Sequence, residues 1–348
     1  MSKMNQGEAG RASVIGTVAV PNRAFLAPMS GVTDVPFRRL AHRFGAGLVV
    51  SEMVACEQLA EGDPDTHLRS EGIDGAPHVV QLAGREAHWM AEGARIAVDA
   101  GADIIDINMG CPAKRVTTGY SGSALMRDLD HALTLIDATL EASRVPVTLK
   151  MRLGWDERSL NAPELAERAQ AAGVSMVTVH GRTRCQFYKG RADWDAIAAV
   201  RERLTIPLVA NGDCAGADDA REMMTRSGAD AVMIGRAAYG RPWLVGQIGA
   251  ALAGREIMAT PRGTALGDIV CEHVEMMLEH YGSARGLLLA RKHIAWSLDA
   301  ATEEGAEPMP ADMRKALLTS RDAGAVIAGL SQWFSGAGET VTSVGEAA

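Results

Sequence analysis

Several scarcities bound what this chain of 348 residues can be. Its five cysteines (Cys56, Cys111, Cys185, Cys214, Cys271) are odd in number and far apart, with no C-x-x-C pair and no histidine at zinc-finger spacing. Neither a disulfide framework nor a structural metal is therefore supported, and no metal is expected in the site. Positive charge is also short: 35 Lys and Arg against 43 Asp and Glu leave a formal net charge of −8. That balance argues against diffuse attraction to nucleic acid, so any RNA contact has to use a local basic track. No apolar run reaches membrane-spanning length, and the opening "MSKMNQGEAGRASVIG" lacks the apolar core of a signal peptide. A cytoplasmic protein without a membrane partner is the expectation. Aromatic residues supply only 4% of a composition that is 47% hydrophobic and 22% charged, the balance of a globular protein with helices and an aliphatic core. Nothing fixes the oligomeric state, and a monomer is expected.

What the chain has is a repeat. Short apolar runs recur, each followed by a turn and a helical stretch: "AFLAPMS" from Ala24, "LVVSEM" from Leu48, "HVVQLA" from His78, "DIIDINMG" from Asp103, "VPVTLKMRLG" from Val145, "SMVTVHGR" from Ser175, "IPLVANGD" from Ile206 and "DAVMIGRA" from Asp230. Stretches between them, such as "EAHWMAEGARIAVDAGA" and "NAPELAERAQAAG", space apolar residues three to four apart and exit through glycine, as helices do. Strands without polar alternation are buried on both faces, and strands alternating with helices imply a parallel sheet with right-handed crossovers. Eight such units close into a (β/α)8 TIM barrel, and the repeat has close to the ~250 residues typical of that α/β fold. A doubly wound open sheet is the alternative; against it, no G-x-G-x-x-G turn follows the first strand.

Four regions follow. Residues 1–23 form an N-terminal segment whose "ASVIGTVAVPNR" turns at Gly16 as a β-hairpin covering the N-terminal end of the barrel. The barrel occupies 24–258. A C-terminal all-helical domain runs over 259–335, carrying "DIVCEHVEMMLEHYG", "GLLLARKHIAWSLDA" and "ADMRKALLTSRDAGAVIAGLSQWF" after the breaker "TPRG". A Gly/Ser/Thr-rich tail, 336–348, is expected to fray.

Barrels of this kind work at the C-terminal ends of their strands. Those ends carry Pro28, Met29 and Ser30; Glu52; Gln81; Asn108 with Cys111; Lys150 with Arg152; His180; Asn211, Gly212 and Asp213; and Gly235 with Arg236. Chains do leave cores through polar residues, so a single such position says little. All eight strands doing so points to a site. The glycines of "NGD" and "GRA" let backbone approach an anion and Arg236 adds a charged fork, while the loops after strands seven and eight often make the phosphate site of such barrels. Lys150 and Gln81 are expected deeper, among apolar neighbours, where an ammonium needs an anionic partner or a cofactor with an electron-rich edge, such as the N1/O2 side of a flavin. His180 is either a ligand contact or a satisfied core histidine.

Taken together, "APMSGVTDVPFR", "VQLAG", "DINMGCPAKRV", "GSALM", "TLKMRLGWD", "HGRTRCQFYKGRADW", "ANGD" and "IGRAAYGRPW", in order along the barrel, resemble the tRNA-dihydrouridine synthases, and "RKHIAWSL" resembles that family's RNA-binding domain. The wording around the cysteine is most similar to the bacterial B-type, NifR3-like subgroup. The resemblance implies an FMN enzyme in which NADPH reduces the flavin, hydride passes from its N5 to C6 of a D-loop uridine of tRNA, and Cys111 protonates C5 from the opposite face. It implies that Pro28, Met29, Ser30, Gln81, Lys150, His180, Asn211, Gly212, Asp213, Gly235 and Arg236 hold FMN. Arg182, Arg184 and Lys189 would meet phosphates near the substrate.

The residue types suit that task. A thiol with a pKa of about 8.5 is mostly protonated at neutral pH and can act as an acid. Asn108 suits a uracil edge, Pro112 stiffens the loop after the thiol, and Lys114 and Arg115 are expected to meet RNA phosphates. Cations near a thiol favour thiolate, so these two are expected to point away from Cys111. Arg152 joins the substrate-contact set. Cys185, in the basic "RTRCQFYKGR", and Cys214, after "NGD", are rival thiols; Cys56 and Cys271 read as small buried apolar residues. In the helical region Arg285, Arg291, Lys292, His293, Arg314, Lys315 and Arg321 are candidate RNA contacts, with Arg291 and Lys292 foremost, against the alternative of a solvated helical face. Two other functions stay open: a flavin dehydrogenase of a free pyrimidine, of the dihydroorotate or dihydropyrimidine type, and a non-catalytic RNA-binding protein on a retained barrel.

Overall fold

The structure, a computed structural model, describes residues 14–336. Eight strands, one from each apolar run, are all parallel and close on themselves. They are β3 (Ala24–Leu26), β4 (Leu48–Ala55), β5 (Val79–Ala83), β6 (Ile104–Met109), β7 (Val147–Arg152), β8 (Met176–His180), β9 (Leu208–Asn211) and β10 (Ala231–Ile234), joined in that order with β10 returning to β3. Preceding them, β1 (Val14–Ile15) and β2 (Val18–Ala19) pair antiparallel. The barrel and the hairpin are as the sequence leads one to expect.

Period-two alternation divides each strand into an inward and an outward set. At the N-terminal end of the barrel the inward set is apolar: Phe25, Leu48, Val79, Ile104, Met176, Val209 and Ala231 share one cluster with Ile15 and Val20 of the hairpin region. Ile15 is wholly buried there. The hairpin turns at Gly16, whose φ of +58° is left-handed and whose absent Cβ would otherwise lie 2.5 Å from Pro146 Cγ, so the plug needs glycine at this point. Toward the C-terminal end the same inward rows become polar, and it is there that the site lies. In β4 the pairing register with β5 slips between Val50 and Met53, a bulge beside the buried Glu52.

The described residues fall into two compact units. One comprises 14–237 with Leu244–Glu256. The other comprises Ala238–Trp243 with 257–336, so the break lies at 256/257 and the short segment after β10 packs with the helices. That segment anchors itself by contacts a barrel boundary drawn from sequence at 258 does not anticipate. Tyr239 stacks on Trp296 with centroids 4.1 Å apart, and Arg241 pairs with Glu303 at 2.6 Å and Glu304 at 3.0 Å. The helical unit contains the helices Gly263–Tyr281, Ser283–Glu303, Ala311–Thr319 and Ala323–Gly336, whose buried faces include Val274, Met277, Ile294, Leu330 and Phe334. Most of the tail expected to fray lies outside the described residues. Among the described residues no helix is long and apolar enough to cross a membrane.

Truncating the plug tests its weight in the core. Ile15→Ala is expected to cost about 2–5 kcal/mol in equilibrium urea unfolding, whereas Val14→Ala, at a residue 45% exposed, should stay within about 0.5 kcal/mol. Equal effects would mean the hairpin does not close the core.

Candidate active site

The polar inward rows of β5, β6 and β7 meet in one hydrogen-bonded chain. Asp106, on β6 between Ile104 and Asn108, is buried, and its two oxygens accept from Thr148 Oγ1 at 2.6 Å and Gln81 Nε2 at 2.7 Å. Gln81 Oε1 accepts from Asn108 Nδ2 at 2.7 Å. Asn108 Oδ1 accepts the backbone amides of Gly110 at 3.1 Å and Cys111 at 2.9 Å. Burial pushes the Asp106 carboxyl up, opposed by its bonds to Thr148 and Gln81 and by the charge of Lys150.

Lys150 stands beside Asn108 in the β6–β7 register, half-buried, donating to Asn211 Oδ1 at 3.2 Å, while Asn211 Nδ2 donates to Met233 O at 2.7 Å. Burial lowers its pKa from 10.5 to about 8, with Asp106 opposing the shift and Arg152 adding to it. His180, at the end of β8, is held well below the usual imidazole range by burial first, then by Arg152, Lys150, Arg182 and Arg236. It is therefore neutral at pH 7, a hydrogen-bonding group and not a cation.

The Cys111 loop is tied down on both sides of the thiol. Cys111 O accepts from Ser123 N at 3.1 Å and Ser123 Oγ at 2.8 Å. The preceding carbonyl, Gly110 O, accepts from Arg152 Nε at 2.9 Å, and Arg152 Nη1 reaches on to Thr183 O at 2.9 Å and Phe187 O at 2.8 Å. Arg152 thus laces the thiol loop to the loop after β8. Burial pushes its pKa down to about 10, so it stays charged at neutral pH. Arg184 makes a second tie, with Nη2 3.4 Å from Thr117 Oγ1, while its guanidinium and that of Arg127 each lie 4.9 Å from the Trp155 ring centre.

At the ends of β8, β9 and β10 a second cluster forms. Asp213 sits in left-handed backbone, φ +57°, and its Oδ2 accepts from Arg182 Nη2 at 2.5 Å and Ala192 N at 2.7 Å; Arg236 Nη2 stands 3.7 Å from Oδ1. Burial pushes the Asp213 carboxyl up, but the Arg182 and Ala192 hydrogen bonds and the charges of Arg182 and Arg236 outweigh it and hold it below its ordinary value. Arg236 is half exposed, over the Tyr188 ring at 4.6 Å. Gly212, φ +120°, allows the sharp exit from β9.

A sequence model of the family described as dihydrouridine synthase (Dus) matches residues 25–315. A probable tRNA-dihydrouridine synthase of Rhizobium leguminosarum bv. phaseoli is 59% identical over 88% of this chain and 93% of that protein. The tRNA-dihydrouridine synthase B of Xanthomonas axonopodis pv. citri (strain 306) is 45% identical over 81% and 85%. The chain belongs to the dihydrouridine synthase family. Among solved structures, a 2-naphthoyl-CoA reductase in complex with 2-naphthoyl-CoA matches with a TM-score of 0.53 at 13% identity, over 72% of this chain and 53% of that one, which bears on the fold alone.

As a dihydrouridine synthase chain it assembles most of the expected site residues around the strand ends, with corrections of role. Gln81 and Lys150, expected among apolar neighbours, have Asp106, Asn108 and Asn211 around them instead. Arg152, expected to contact substrate, is 2% exposed and donates to three carbonyls, while Arg182, also 2% exposed, is bound through Nε and Nη2 to Asp213, Lys189 O and Gly190 O and keeps Nη1 without a partner. Arg291, expected to meet RNA, donates to the carbonyls of Thr319 at 3.3 Å and Ser320 at 3.1 Å, capping the helix that ends there. Arg314 is paired with Asp299 at 2.6 Å and His293 is buried. Lys114 and Arg115 are exposed on the one-turn helix Lys114–Thr117, Lys315 and Arg321 are exposed, and Lys292 is half-buried.

Ser30 is exposed, and Pro28 and Met29 are half-buried, with Met29 N donating to Thr33 Oγ1 at 2.9 Å. The Glu52 carboxylate accepts from Gly31 N, locking the same turn. Of the rival thiols, Cys214 is buried and pushed up to about 12 by burial and Asp219, whereas Cys185 is exposed. Cys56 is buried, but Cys271 only partly so. Asp106 and Thr148 are the residues that sequence reasoning missed. Their signal was available: Asp106 shares its strand parity with Asn108, and Thr148 shares that of Lys150.

The depressed Lys150 pKa makes a stability prediction. Between pH 8 and 10.5 the unfolded lysine holds its proton more than the folded one, so folding stability rises with pH across that window and the charged form is penalised below it. Lys150→Met should abolish that rise, on the order of 2 kcal/mol, in urea unfolding of cofactor-free protein at pH 7.5, 9 and 10. Parallel curves for both proteins would mean that Lys150 keeps its ordinary proton affinity.

Proposed function

We propose that this chain reduces the C5–C6 double bond of a D-loop uridine in tRNA, using FMN and NADPH, with Cys111 as proton donor. The observation that carries the reading is the placement of the thiol. Asn108, paired in register with Lys150 of β7, holds the Cys111 amide two residues past the end of β6.

The strand ends fit an FMN. Among the described residues, His180 Nδ1 and Arg182 Nη1 are buried polar atoms without a hydrogen-bond partner, a costly arrangement unless a ligand supplies one. Lys150 has N–H groups beyond the one given to Asn211, and Gln81 keeps one N–H and one lone pair beyond its bonds to Asp106 and Asn108. Lys150, Gln81 and His180 would hold the isoalloxazine, with Pro28, Met29, Ser30 and Asn211 lining it. Arg236 and the backbone at Gly212, Asp213 and Gly235 would hold the phosphate. When bound, FMN supplies the hydride that NADPH replenishes.

The chain's own residues do the rest. Saturating an enone-like ring leaves charge to be quenched at C5, and the Cys111 S–H delivers that proton. Asn108, with both Oδ1 lone pairs taken by backbone amides and one N–H given to Gln81, offers its remaining N–H to a uracil carbonyl. Neutral His180 can donate or accept without adding to the positive charge of Lys150, Arg152, Arg182 and Arg236 around it. The exposed Lys114, Arg115 and Lys189 give phosphates a local basic track, which a free pyrimidine has no use for.

The test is turnover of unmodified tRNA by the flavin-loaded protein. Cys111→Ala should slow dihydrouridine formation by about 10²–10⁴-fold while flavin absorbance and tRNA affinity persist. Rapid turnover of a free pyrimidine with none of tRNA would replace this reading by the small-molecule dehydrogenase.

A further inference from the structure

We propose that Asp106 is a positioning residue: the buried acceptor at the foot of the Gln81–Asn108 chain that fixes which way both amides face, and through them the backbone of Cys111. The catalytic consequence rests on the reading of Cys111 as the acid; the anchoring does not.

The chain has defined ends. At the bottom is a carboxylate, and the oxygen that faces Gln81 can only accept while ionised. At the top are two peptide N–H groups, of Gly110 and Cys111, which can only donate. Two amides between an acceptor and a pair of donors have one arrangement in which every contact is a hydrogen bond. Gln81 must turn Nε2 to Asp106 and Oε1 to Asn108; Asn108 must then turn Nδ2 to Gln81 and Oδ1 to the peptide groups. That is the arrangement present. Reversing either amide sets N–H against N–H or oxygen against oxygen in a buried setting, where each lost bond leaves unsatisfied groups behind.

Two effects follow. The Gly110–Cys111 backbone is pinned from below by Asn108, complementing the hold of Ser123 on Cys111 O. The amide orientation also decides what Asn108 has left for the site, an N–H, so this position recognises a carbonyl oxygen and not a ring N–H. Thr148 is the second partner of the carboxylate, but its hydroxyl can donate or accept and so imposes no direction.

The acceptor and the charge of Asp106 are separable, which makes the proposal testable on the purified full-length protein by hydrogen–deuterium exchange at the Gly110 and Cys111 amides. Asp106→Asn keeps an acceptor for Gln81 by turning its own N–H₂ to the Thr148 hydroxyl, so exchange should stay near the wild-type rate. Asp106→Leu removes the acceptor, and exchange should quicken about tenfold. Thr148→Val alone should leave it unchanged. Slow exchange in Asp106→Leu, or an Asp106→Asn or Thr148→Val protein as fast as Asp106→Leu, overturns the proposal. Should Asp106→Leu fail to fold, Gln81→Leu breaks the same chain one link nearer the thiol and must quicken exchange; if it does not, the proposal fails. The rate of dihydrouridine formation, followed in parallel, should fall with the loosening. Loosened amides with undiminished formation would uphold the anchoring and remove Cys111 from its role as acid, so the two failures are distinguishable.

Discussion

A polar group on the inner face of a closed barrel cannot turn outward to water, so its partner has to come from a neighbouring strand or from whatever enters at the mouth. That constraint organises this molecule. The apolar inward layer under the hairpin leaves the bottom dry, and the polar layer above it has to be self-satisfied. Asp106, Thr148, Gln81 and Asn108 meet the requirement by pairing across β5, β6 and β7, while Lys150 and Asn211 do so across β7 and β9. The pairing is incomplete at Thr178 Oγ1 within that layer and at His180 Nδ1 and Arg182 Nη1 at the mouth, which under the proposed function are left for a ligand.

Arginine has an unusual part in this construction. Arg152, Arg182 and Arg184 all come from the strand-end segments of β7 and β8, and each spends its fork on loop carbonyls, a carboxylate or a hydroxyl. A planar group with five donors in a fixed fork can bridge backbone oxygens that lie well apart; the three donors of a lysine share one nitrogen and cannot span the same separation. The loops after β6 and β8 therefore act as a braced pair, and the thiol loop gains rigidity from a guanidinium bonded to its backbone. Substituting lysine at Arg152 would keep the charge and lose the lacing.

The barrel was legible because each of its eight strands is a short apolar run with a turn behind it, and the hairpin because Gly16 breaks an alternating stretch. The strand-end positions of the expected site residues were legible because each follows directly on one of the eight apolar runs. Three things were not. The parity of Asp106 with Asn108 was readable, but the partners that satisfy its carboxyl, Gln81 and Thr148, lie on other strands and were not. The arginines read as RNA contacts because sequence gives the charge and not the carbonyl it is spent on. The segment Ala238–Trp243 read as barrel because its attachment depends on a stacking partner, Trp296, that lies far away in sequence.

Spending cations internally also bears on how an acidic chain could handle an RNA. With a net charge of −8, and with Arg152, Arg182, Arg291 and Arg314 bound to the protein itself, the charge left for phosphates is modest. Electrostatic attraction then supplies a smaller share of affinity than in a basic RNA-binding domain, and more must come from shape and from the pocket that receives the base. A base drawn out of its stack is recognised by polar groups held in fixed directions, since a donor free to rotate pays for its ordering at each binding event. On this view the buried amide chain under the thiol and the scarcity of free surface cations are two sides of one solution: discrimination would fall to the barrel mouth, where the Gln81 and Asn108 amides have their direction set by Asp106 below.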